Sequence, residues 1–178
     1  MKTNRHIPGC NKNAFESMHV IIRFMVVLLL LTVTQIASAA VSCSINVTGP
    51  VFGVYNPLTP TPTVTTSIIT ATCTLTGNTS TTVNLTSSYS TGSSGTYAAR
   101  TMKSGSNSLN YNLYFDAAFT QIRGDGTGGS QTGGGTLTLT PSLRTDTTPI
   151  STIYGRIPAG QDVAPGNYSD TITVTITY

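Results

Sequence analysis

The chain has 178 residues and only 8% of them are charged, against about a quarter in an ordinary soluble domain. Both histidines (His6, His19), the one glutamate (Glu16) and four of the nine basic residues lie upstream of Val26; from Ala40 onward five Lys/Arg oppose five Asp, and no His, Glu or Trp remains. That neutral body argues against a basic face for nucleic acid, a His-ligated metal site and the commonest general base.

In chain order, the first recognisable element is an address. Phe24–Val33 reads FMVVLLLLTV, an apolar run of about ten residues where a membrane span needs roughly 20. Arg23 precedes it and Ala37-Ser38-Ala39 follows it. A basic flank, a short apolar run and a small-residue exit make a secretory signal peptide over residues 1–39, cut between Ala39 and Ala40. An uncleaved anchor suits the short run less well. Met18 offers a more ordinary start, which leaves residues 1–17 open to being a start-site misassignment. The mature domain is then 40–178. Export takes away Cys10 and leaves Cys43 and Cys73 in an oxidising space, where two thiols pair. Such a bridge closes a loop of about 30 residues and contributes roughly 3.5 kcal/mol in the chain-entropy model. Their wide spacing, with neither a CxxC nor a histidine, weighs against a metal or redox pair.

The mature body holds 31 threonines and 16 glycines in 139 residues. Threonine suits the half-buried pleated surface of a strand, and glycine and serine cluster between the apolar runs as turns require. Alternation with period two recurs along the chain. Val41, Cys43, Ile45 and Val47 alternate with polar residues, as do Ile69, Ala71, Cys73 and Leu75, so each cysteine falls on the inward face of its own strand. Val83 and Leu85 open a third run. Leu109, Tyr111, Leu113 and Phe115 form another, with Asn110, Asn112 and Tyr114 expected to face out. Leu137 and Leu139 follow, then a segment flanked by Ile153 and Ile157. The clearest run is the last: Ile172, Val174, Ile176 and Tyr178 against Thr171, Thr173, Thr175 and Thr177, with Tyr168 in the same parity. The stretches Thr86–Thr96 and Gly124–Gly135 (GDGTGGSQTGGG) read as flexible surface; Asp125 among glycines is weak evidence for calcium, which needs several stacked copies. About seven short strands with one inward face each describe an all-β sandwich.

Taken together, these segments resemble the spore coat protein U domain family, which includes secreted coat proteins and subunits of archaic chaperone–usher pili. The pieces that carry the resemblance run in order: Cys43; Val51-Phe52-Gly53-Val54-Tyr55-Asn56-Pro57-Leu58; Cys73 in a Thr-rich strand; Arg100-Thr101-Met102; Leu109-Asn110-Tyr111-Asn112-Leu113-Tyr114; Gly124-Asp125-Gly126; Tyr154-Gly155-Arg156-Ile157-Pro158-Ala159-Gly160-Gln161; and Pro165-Gly166-Asn167-Tyr168-Ser169-Asp170. The resemblance implies an immunoglobulin-like sandwich of the pilin type that lacks its last strand. It also implies transit through the periplasm with a chaperone that lends a strand, delivery to an outer-membrane usher, and replacement of the lent strand by a neighbouring subunit. On the residues themselves, the last run ends the chain as an apolar edge, which is a template for strand addition. Tyr168, Ile172, Val174, Ile176 and Tyr178 are therefore the expected complementation edge. The family's shaft subunits carry a donor extension, whereas the expected cut leaves only Ala40, Val41 and Ser42 before Cys43. That departure points to a terminal or tip-proximal position, a chain that does not polymerise linearly, or a self-sufficient coat protein, of which the terminal position is the expectation.

The function expected is a non-enzymatic secreted structural or adhesive subunit, with no cofactor, no metal and no small-molecule substrate, found in the periplasm in transit and then at the cell surface. Asp116, Asp125, Asp146, Asp162 and Asp170 mostly lie beside turn residues, where Asp caps turns, which leaves little for an Asp-based glycosidase. The alternative is a monomeric carbohydrate- or surface-binding module that stacks Tyr55, Tyr89, Tyr97, Tyr114 or Tyr154 on sugars; ordinary strand tyrosine is the simpler account. Arg156 is expected to pair with Asp162 or Asp170 and fix the turn into the last strand.

Overall fold

The computed structural model describes residues 41–178. The expected leader, its cut at Ala39/Ala40 and the start-site question lie outside the described residues. Eight strands follow one another: β1 (Val41–Val47), β2 (Thr63–Leu75), β3 (Thr81–Tyr89), β4 (Arg100–Ser104), β5 (Asn107–Tyr114), β6 (Gly133–Leu139), β7 (Thr145–Ile157) and β8 (Val174–Thr177), with one 3-10 turn at Gly92–Ser94. They form two antiparallel sheets, a five-stranded one in the order β1-β2-β7-β5-β4 and a three-stranded one in the order β6-β3-β8. No described helix is long and apolar enough to cross a membrane.

The period-two pattern explains the strands. In β2, Ile69, Ala71, Cys73 and Leu75 are essentially fully buried. The threonines between them turn outward, where Thr72 and Thr74 share hydroxyl hydrogen bonds with Thr147 and Thr145 of β7. Such cross-strand pairs are the unit of sheet stabilisation. Leu85 and Tyr89 of β3 and Leu137 and Leu139 of β6 meet Ile69, Leu113, Ile153 and Ile157 of the larger sheet in one core. The β2–β7 register slips between Ile69 and Thr70, which pair with Ser151 and Pro149, so Ile150 is the extra residue. A bulge there lets an interior strand carry Pro149, which has no N–H to give to a ladder. Cys43 and Cys73 stand opposite each other in the β1–β2 register and are bonded, as expected.

Several expectations need correction. Gly124–Gly135 is not all loop: Gly124 donates its N–H to the Gln131 carbonyl and β6 begins inside the stretch at Gly133. A Cβ on Gly134 would fall 2.2 Å from the Leu85 carbonyl oxygen, so a glycine is what brings β6 onto β3. Thr86–Thr96 likewise contains the end of β3, with Ser87 and Tyr89 fully buried. Phe115 lies beyond the end of β5 and is 41% exposed, while Asn112, expected outside, is buried. Regular pairing of the last run covers only Val174–Thr177, and Tyr178 is 59% exposed. Arg100–Ser104, read from the sequence only as a motif, is a strand.

Candidate functional site

β8 pairs with β3 through Thr86↔Thr177 to Tyr89↔Val174, and no described strand pairs with its other edge. At the start of that edge, where Val174 is the one lining residue from β8, opens a groove of about 1000 Å³. It is lined by Leu109, Tyr111 and Leu113 of β5 with Ile153 and Ile157 of β7, by residues 163–172 with Val174 on the β8 side, and by residues 49–55 with Pro57. Of the expected edge residues, Tyr168, Ile172 and Val174 line the groove. Ile176 is half-buried against the core, and Tyr178 lies past the strand, exposed. Tyr168 is held by its hydroxyl, which donates to the Ala164 carbonyl at 2.7 Å.

The far wall is built by three of the sequence segments together. The Phe52 ring stands edge-on to Tyr111, centroids 5.8 Å apart. Gly155 makes room for it, since a Cβ there would come 2.7 Å from Phe52 Cζ and 2.9 Å from Thr65 Cγ2. The Tyr55 hydroxyl accepts the Gln161 N–H at 2.7 Å. The Gln161 side-chain amide in turn pairs with both backbone groups of Asn110, as a neighbouring strand would. At the approach to β8, Asp170 accepts from the Tyr111 hydroxyl at 2.7 Å and from the Ser93 and Thr171 N–H groups at 2.9 Å. Burial first, and the bond to Asp170 second, hold the Tyr111 phenol in its neutral form far above the ordinary tyrosine range.

The core also holds two buried cations that sequence reasoning missed. Arg100 donates to the Ser90 carbonyl, the Arg123 carbonyl and Asn112 Oδ1, and lies 5.1 Å from the Tyr97 ring centroid. Arg123 donates to the Thr152 carbonyl and lies between the rings of Phe115 (4.3 Å) and Tyr89 (5.3 Å), while its Nε and Nη1 are buried without a partner. Burial lowers both guanidinium pKa values. The Arg100–Met102 alternation was the one available signal. Tyr89 and Tyr97 are 2% and 8% exposed, so neither offers a stacking surface.

Two of the carboxylates cap turns: Asp116 accepts from Thr120 and Gln121, and Asp125 from Thr127. Asp146 lies within β7 and accepts from the Thr147 N–H. These bonds hold the Asp116 and Asp125 pKa values below the usual carboxylate range: for Asp116 chiefly the Gln121 N–H, for Asp125 chiefly the Thr127 hydroxyl.

On the outer face of the larger sheet, Tyr114 and Tyr154 are register partners across β5 and β7. Phe119 stands edge-on to Tyr114 at 5.4 Å, and the Arg156 guanidinium lies 5.5 Å from the Phe119 centroid. Arg156 is thus directed to a ring, and no ion pair joins it to Asp162 or Asp170 among the described residues; Asp170 is taken by Tyr111 and the turn amides. Phe119 has φ 58°, the only described non-glycine residue with a positive φ. For a bulky side chain that conformation costs about 1–3 kcal/mol, met here by the Asp116 loop that holds it.

The fold and groove define an all-β sandwich domain, stapled by one disulfide and open along one strand edge. The family model of the Spore Coat Protein U domain matches residues 28–175, and the chain belongs to that family. The match begins within the stretch assigned above to the leader. No curated protein matches the chain. Among solved structures, similarity is found to the chaperone–tip adhesion subunit pre-assembly complex CsuC–CsuE, from archaic chaperone–usher Csu pili of Acinetobacter baumannii. The identity is 17%, over 78% of this chain and 40% of that one, with a TM-score of 0.42. This chain therefore spans well under half the length of that neighbour, and a likeness of this size carries no argument.

Proposed function

We propose that this protein is a non-enzymatic structural subunit of a surface coat or chaperone–usher pilus, completed by a β-strand from another chain. One observation carries the reading: the apolar groove beside the unpaired edge of β8. An added strand would gain backbone hydrogen bonds along β8 and seat alternate side chains on Leu109, Leu113, Ile153 and Ile157. Family membership supports the same reading. The partners it implies are a periplasmic chaperone during transit, an outer-membrane usher and a neighbouring subunit, with the finished protein at the cell surface. With the expected cut at Ala39/Ala40, β1 begins almost at the mature N-terminus, which fits a subunit that accepts a strand without donating one, at a terminal position.

The test is a melting curve of the exported protein with a synthetic peptide of alternating apolar residues. Binding at about a hundred times Kd stabilises by roughly 2.7 kcal/mol, a rise of several degrees in Tm for a domain of this size. Val174→Asp should abolish the rise and reduce accumulation outside the cytoplasm. No shift at any peptide concentration, for peptides of several registers, overturns the reading.

A further inference from the structure

The outer face of the five-stranded sheet carries a constellation that the groove does not use. Tyr154 and Arg156 alternate with the buried Ile153, Gly155 and Ile157, so they look outward. Their register partners on β2, Thr66 and Val64, are exposed, Val64 by 55%. Across β5, Tyr114 extends the row, and the Asp116 loop holds Phe119 in a left-handed conformation against it. Backbone strain of this kind clusters at functional sites, and here it sets the Phe119 ring against Tyr114 and Arg156.

We propose that this face binds an acidic saccharide, with the sugar on the Tyr154 and Tyr114 rings and its carboxylate on Arg156, which the Phe119 ring holds in place. The charge pattern selects the ligand. Arg156 has a ring beside it and no carboxylate partner among the described residues. Asp116, on the same loop as Phe119, is engaged by Thr120 and Gln121. An aromatic platform with one uncompensated guanidinium suits a uronic-acid polymer: a planar carboxylate matches the guanidinium fork, and the sugar's C–H faces lie on the rings.

The test is affinity electrophoresis of the exported protein in gels containing polygalacturonate, with neutral dextran as the comparison. Retention by polygalacturonate alone, weakening as salt rises, is expected. Arg156→Gln should weaken it about tenfold or more, as loss of a charge-assisted pair does, and Arg156→Lys less. Val64→Glu tests the face without changing any ligand-contacting residue: it sets a carboxylate beside Arg156 on an exposed position, and should abolish retention while the melting temperature stays unchanged. Equal retention by dextran, wild-type retention by Arg156→Gln, or no retention at all overturns the proposal. So does a dimer in sedimentation that Phe119→Ala dissolves, which would assign the face to a second copy of the chain. None of these readouts depends on strand addition at β8.

Discussion

Arg100 and Arg123 are equally buried and differently satisfied, which separates their roles. Arg100 makes bonds to two backbone carbonyls and to Asn112, and removing it leaves those acceptors unpaired in the core. Arg123 makes one, with two of its nitrogens idle. Arg100→Met is therefore expected to cost about 3–5 kcal/mol, the range for breaking a buried charged network, whereas Arg123→Met should be near neutral or stabilising. Urea denaturation of the two variants checks this, and equal destabilisation would contradict it. At this scale the sequence was least legible. Alternation placed Phe115 inside and Asn112 outside, and the structure exchanges them, because Asn112 is recruited by Arg100 and Tyr97 and Phe115 covers Arg123. Period two reports where a strand's side chains go only while hydrogen-bonding groups do not compete for the interior.

Among the elements, β1 depends most on a covalent tie. It is an edge strand, every second residue only half-buried, joined to β2 by register and by the Cys43–Cys73 bond. Cys43→Ser is expected to lower stability by about 2–4 kcal/mol and to increase hydrogen exchange first in β1. Calorimetry and exchange mass spectrometry measure both effects, and an unchanged melt would rule out a stabilising bridge. The strands that were legible are those in which small polar residues alternate with apolar ones: Ser and Asn in β1 and β5, Thr in the second half of β2 and in β8, and Asn84 between Val83 and Leu85 at the start of β3. The first half of β2 was hidden because Val64 and Ile68 face outward while Ser67 faces in. β4 was hidden by an inward arginine, and the first half of β6 by glycines that read as flexible surface until Leu85 is seen pressing on Gly134; its second half, Leu137 and Leu139 among threonines, was legible. The groove was legible only as an unpaired last strand. Its far wall, where Phe52 meets Gly155 and Tyr55 meets Gln161, joins residues more than a hundred positions apart, and no local pattern encodes that.

For the molecule as a whole, all five cations of the described body rest on groups other than carboxylates. Arg144 is on the Gly77 carbonyl and Asn78, Lys103 on Ser108, Arg156 on a ring, and the two buried arginines on carbonyls and rings. Tyr111, by contrast, couples folding to alkaline pH. Its folded pKa is raised, so above about pH 10 the unfolded chain ionises first and stability falls as pH rises further. Melting temperature should thus be insensitive to added salt near neutrality and decline above about pH 10, with Tyr111→Phe flattening the alkaline limb. A strong salt dependence, or an alkaline limb unchanged in that variant, would contradict the assignment.

A body whose cations lean on peptide oxygens and aromatic faces holds its shape by forces that dissolved ions scarcely attenuate. Rain, brine or drying film would alter what clings to the guanidinium on its outer wall, while the architecture beneath stayed the same.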